Sequence, residues 1–129
     1  MTEDHDQVFV SAVLEVFARL LDEGYEVTDV RPTRIEFSKR ARRVIVCRSR
    51  DGEIDVALGS RSNAFGLDEF IRLCVGEGTY KNFAATDRDG IPPAVEATAN
   101  RLFEYPNVLT LAAPPSEIVR HNSLQYGSA

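Results

Sequence analysis

The side chains best suited to chemistry are few and scattered. His5 and His121 stand near opposite ends of the 129 residues, where neither is held for general acid or base work, and both are expected to be solvated surface groups. Cys47 and Cys74 lie far apart with no histidine near either in sequence, which is not the spacing of a disulfide framework or a zinc site. Each is expected on an apolar, inward face, where a thiol has a raised pKa and packs without reacting. Gly76, Glu77, Gly78, Thr79, Tyr80 and Lys81 offer the glycines and lysine of a phosphate loop. They lack its spacing, include an acid that repels phosphate, and leave a helix where the mechanism needs them to enter one. Asp87, Arg88, Asp89 and Gly90 begin like a calcium loop, but Ile91, Pro92, Pro93 and Ala94 stand where further oxygen ligands are required, so the segment reads as a turn. Paired carboxylates such as Asp22 with Glu23 or Asp68 with Glu69 are ordinary on exposed helix ends. No set of nucleophile, base and orienting group emerges, so the expectation is a protein without catalytic residues, metal or cofactor.

Charge is the stronger signal. Eight of the fifteen Lys and Arg residues fall within residues 31–50, where Glu36 is the only acid, while the first 29 residues hold eight acids against Arg19 alone. The net charge is −5. A field divided in this way selects partners and speeds encounter more than it stabilises a fold. Lys39, Arg40, Arg42 and Arg43 connect two strands and, with Arg34, are expected to project from one sheet edge. Nucleic-acid binding would also need base-stacking or groove-entering elements, and no aromatic residue interleaves the basic run. Protection of a sheet edge against aggregation is the plainer role for such charge. Asp22 and Glu23 fall at the negative end of a helix dipole, so either the basic hairpin neutralises them or they form an acidic edge with Glu26. The candidate protein-binding residues are therefore Arg40, Arg42 and Arg43 on one side and Asp22, Glu23 and Glu26 on the other.

The elements that must position these groups follow from periodicity. Residues 8–21 form a helix with a narrow polar stripe of Ser11, Glu15, Arg19 and Asp22, so wide an apolar arc that two sides need cover. Gly24 ends it. Strands are expected at 34–38, 43–49 and 53–59, with Asp51 and Gly52 as a two-residue type I′ turn that pairs Arg48 with Asp55 and Cys47 with Val56. A helix over 67–75 closes at Gly76, the stretch 78–89 is loop with one short strand, and a helix over 93–105 buries Val95, Ala99, Leu102 and Phe103 before Pro106 stops it. Ser116 caps a last helical turn. The fold class is α+β: an N-terminal helix, a three-stranded antiparallel meander, then two or three helices packed on one face of the sheet.

The length suits one domain over 1–129, with residues 1–6 and 125–129 flexible. No apolar run is long enough to span a membrane and the N-terminus is acidic, so the expected compartment is the cytoplasm. The Gly24-Tyr25 pair, the Ile35-Glu36-Phe37 and Val44-Ile45-Val46 strands, the hairpin around Asp51 and Gly52, Leu58-Gly59 and the helix over 67–73 resemble small acidic bacterial proteins, many of them immunity-type proteins of polymorphic toxin loci. The same order of elements resembles type III secretion chaperones and adaptor domains. The first resemblance implies a non-catalytic inhibitor that recognises a toxin through a charge-polarised surface. The second implies a homodimer that holds a secretion substrate, with the two-sided helix over 8–21 in the dimer interface.

Overall fold

The N-terminal helix starts ahead of its apolar pattern and breaks before the end of it. The computed structural model describes residues 2–60, 63–76, 83–111, 115, 116 and 118–120, and opens with α1 (Thr2–Val16) followed by the single turn α2 (Arg19–Asp22). Apolar periodicity marks only the turns that pack, so it missed the first six residues of α1 and ran two helices together. The polar stripe of Ser11, Glu15, Arg19 and Asp22 lies away from the core, and Phe9, Ala12, Val13, Phe17 and Leu20 are buried.

Among the described residues six antiparallel strands follow, where the sequence suggested a three-stranded meander and one short strand within 78–89. They are β1 (Glu26–Arg31), β2 (Arg34–Lys39), β3 (Arg42–Arg48), β4 (Glu53–Gly59), β5 (Ala64–Gly66) and β6 (Phe83–Ala84). The sheet order is β1-β2-β3-β4-β5, with β6 pairing the start of β4. Strand β1 escapes the sequence pattern because its apolar residues, Val27 and Val30, are three apart. A bulge between Val27 and Asp29 absorbs the extra residue, so Val27 opposes Phe37 and Val30 opposes Ile35 on the same face.

The β3–β4 hairpin corrects the expected register by one residue. Only Gly52 in that turn has positive φ, at 86°. A type I′ turn needs two such residues, so the connection is a three-residue loop of Arg50, Asp51 and Gly52, with Ser49 and Glu53 closing it. Cys47 therefore pairs with Asp55, Val46 with Val56 and Arg48 with Ile54. A slip of one turns β3 over. Val44 and Val46 face inward, while Ile45 and Cys47 lie on the opposite face, and Arg48 and Asp55 do not stand opposite each other across the strands.

Residues 67–75 are helical as expected, as α3 (Leu67–Phe70) continuing into a wider π turn (Ile71–Val75), and Gly76 ends it in the left-handed conformation. Then α4 (Ile91–Phe103) begins two residues early, with Pro92 and Pro93 in its first turn, where an absent N–H costs nothing. The Asp87 carboxylate accepts from the Gly90 amide at 2.8 Å, making the turn that leads into α4. Helices α1 and α4 pack together on the sheet face that carries Ile35, Phe37, Val44, Val46, Ile54, Val56 and Leu58. Phe9, Phe17 and Phe37 are wholly buried there, each worth roughly 1.5–3 kcal/mol relative to exposure. Val108, Leu109 and Ile118 cover the same core, and the Tyr25 hydroxyl ties the first half to the second by donating to the Leu109 carbonyl at 3.1 Å.

Candidate functional site

The cations of residues 31–50 are largely engaged within the fold. On the sheet face away from the helices, the β2–β3 register puts Arg34, Glu36 and Ser38 beside Cys47, Ile45 and Arg43. Glu36, 9% exposed, sits at the centre. It accepts from Arg43 Nη2 at 2.5 Å, from Thr28 Oγ1 at 2.9 Å and from Arg34 Nη2 at 3.4 Å. Arg34 also reaches Asp29 at 3.2 Å, and Asp29 pairs with Arg31 at 2.9 Å. Burial alone would raise the Glu36 pKa, but hydrogen bonds from Arg43 and Thr28 and the charges of Arg43 and Arg34 prevail and hold it below its ordinary value. The single acid in the basic window is thus its organising group, and the charged cluster belongs to the sheet as much as to its surface.

Lys39, Arg40 and Arg42 lie around the β2–β3 turn, at the end of the sheet that holds the acidic corner. Lys39 Nζ donates to the Glu23 carbonyl at 2.7 Å, a cation at the C-terminal end of α2 that offsets the acids Asp22 and Glu23 there. Arg42 donates to the Thr110 carbonyl at 3.3 Å. Arg40, exposed and at φ 56°, occupies the tip of the β2–β3 turn. Asp22, Glu23 and Glu26 are exposed. The two candidate sets therefore share one end of the molecule, with Arg43 turned into the Glu36 cluster. Arg48, placed inward by the register, donates to the Ala85 carbonyl at 3.1 Å.

Other chemistry-bearing groups are dispersed. Cys47 lies half-buried on the open sheet face, its thiol pKa raised by burial against the opposing pull of Arg34. Asp68, at the start of α3, pairs with Arg101 at 3.2 Å. Burial pushes its carboxyl up, Arg101 pulls it down and Asp55 adds to the rise, for a net upward shift. His5 belongs to α1, whereas His121 and residues 77–81 of the glycine-rich segment lie outside the described residues. Among the described residues no group of three or more His, Cys, Asp or Glu gathers to hold a metal ion, and no helix is long and apolar enough to cross a membrane.

The feature that sequence reasoning missed is an exposed apolar flank. Helix α4 covers one side of α1, but Leu14 of α1 and Leu21 of α2 remain 37% and 45% exposed, and Val27 and Val30 of β1 remain 37% and 49% exposed. Strand β1 ends the sheet, bonded among the described residues to β2 alone. Val10 of α1 and Val30 of β1 line one groove of about 780 Å³, bordered by Asp6, Ser11 and Pro32. The breadth of the apolar arc on residues 8–21 was the signal for this surface; the bulged strand beside it left none. No known protein family matches this chain, and no curated protein or solved structure is similar to it.

Proposed function

We propose that this protein is a non-catalytic protein-binding module that docks its partner along the β1 edge and the adjoining flank of α1. The observation that carries the reading is the coincidence of an open strand edge with four exposed large apolar residues, Leu14, Leu21, Val27 and Val30. Strand edges accept another strand through main-chain hydrogen bonds, and apolar residues exposed at the edge supply the burial that makes such pairing hold. Glu26, at the start of β1, and the nearby Asp22, Glu23 and Arg40 add charge that selects among partners. An inhibitor of the immunity type, as the resemblance implies, works in this way, by occupying a surface of a toxin without chemistry of its own.

The experiment is affinity capture from the native host with wild-type chain and a Val27→Lys/Val30→Lys variant. One dominant partner protein should be recovered and should be lost with the variant, while Arg40→Glu weakens capture only at low salt. Equal recovery by wild type and the β1 variant refutes the proposed surface.

A further inference from the structure

We infer that β1 pairs with β1 of a second copy of this chain, giving an antiparallel two-fold dimer; the inference rests on the docking surface proposed above, where a second copy and another partner protein exclude each other. The argument comes from the order of residues in β1: Glu26, Val27, Thr28, Asp29, Val30 and Arg31. Pairing two such strands about a two-fold axis between Thr28 and Asp29 sets Glu26 opposite Arg31 of the other copy and Val27 opposite Val30. Both charged pairs are then of opposite sign, and both apolar pairs join exposed valines.

In a regular strand this register is forbidden. Residues facing each other across an antiparallel pair must point to the same side, and positions 27 and 30, or 26 and 31, differ by an odd number and so point to opposite sides. The bulge between Val27 and Asp29 removes the conflict. It puts Val27 and Val30 together on the helix-bearing face, opposite Phe37 and Ile35, and leaves Glu26 and Arg31 on the other, opposite Ser38 and Arg34. The device that hid β1 from the sequence pattern is the one that makes the strand complementary to itself.

The two-fold also accounts for the α1 flank. Helix α1 runs toward the start of β1 through α2, so the strand returns antiparallel to it, and Val10 and Val30 share a groove. Joining two β1 edges brings the Val10 and Leu14 flanks of the two copies toward each other above the paired valines.

Sedimentation equilibrium over a wide concentration range tests the proposal. Wild type should pass from monomer to dimer. Glu26→Arg sets two arginines opposite each other at the 26–31 pairs, and Arg31→Glu sets two glutamates there, so each variant alone should dimerise about tenfold more weakly. Mixed in equal amounts, the two variants should form a heterodimer in which both 26–31 pairs join an arginine to a glutamate, so mixing should restore association to near the wild-type level. The double variant Glu26→Arg/Arg31→Glu restores opposite signs at both pairs and should dimerise as well as wild type. Both positions are exposed, and a thermal melt of each variant confirms that it is folded. Wild type that stays monomeric at every concentration, or a double variant that dimerises no better than the single ones, overturns the dimer. The binding-module reading falls on a different result, the β1 valine variant capturing the same partner as wild type.

Discussion

Replacing Glu36 by Gln should destabilise the fold by about 2 kcal/mol, the worth of a hydrogen bond to a charged group in a poorly solvated site. Gln keeps the shape and one carbonyl acceptor but removes the charge that both guanidinium groups face. Arg34 retains Asp29 at 3.2 Å. Arg43 does not have that alternative: its side chain is 18% exposed, and its buried Nε already has no hydrogen-bond partner among the described residues. The loss therefore falls on Arg43, whose charge is left in a site with reduced access to water. Thermal and urea unfolding read the effect, and a loss of 2 kcal/mol should lower Tm by about 6–10 °C in a domain of this size. The sign with pH is set by the lowered pKa of Glu36. Its contribution is fully present above the ordinary carboxylate value near ~4.3 and is lost as pH falls through the lower folded value, so wild type and Glu36→Gln should converge in acid. Glu36→Leu combined with Arg43→Leu should be milder than Glu36→Leu alone, because an apolar pair replaces the ion pair without stranding a charge. A Tm difference that is near zero at pH 7, or that is unchanged between pH 7 and pH 3, refutes this account of the charged cluster.

Three further outcomes follow from the geometry. Gly52→Ala should cost roughly 2 kcal/mol or more in urea unfolding, because φ is positive there and a Cβ would run into the Ala85 carbonyl; a loss under half of that would argue against the three-residue turn. Asp68→Asn should gain on wild type as pH rises from 4 to 7, since a raised carboxyl pKa means the ionised form is the one disfavoured by folding; a pH-independent difference would remove the burial argument. In a Cys74→Ala background, Cys47 should react with a disulfide reagent more slowly at pH 7.5 than a small free thiol and speed up only above the usual thiol pKa of ~8.5. Equal rates for the two thiols at pH 7.5 would show that Cys47 is not held among burying neighbours.

The helices at both ends and the strands at 34–38, 43–49 and 53–59 were legible because their apolar residues recur at helical or alternating spacing, and Gly76 and the proline pair marked ends that the backbone respects. Strand β1 was not legible, since Val27 and Val30 fit neither period until a bulge is allowed between them. The hairpin was found but its register was not: one residue more in the turn puts Val44 and Val46 on the core face in place of Ile45 and Cys47. Of the candidate site, charge counting located the basic window and the acidic corner. It read Glu36 as a lone exception, whereas the strand pairing makes that residue the partner of Arg34 and Arg43.

The chain by itself determined which segments are amphipathic, where the backbone can turn sharply and how its charge divides along the sequence, because these depend on neighbours within a few residues. Tertiary structure alone decided which cations meet acids and which reach solvent, and that Val27, Val30, Leu14 and Leu21 stay uncovered. Those outcomes depend on strand order, a one-residue register and which side of α1 the fourth helix takes, relations between residues far apart in sequence that local pattern does not encode.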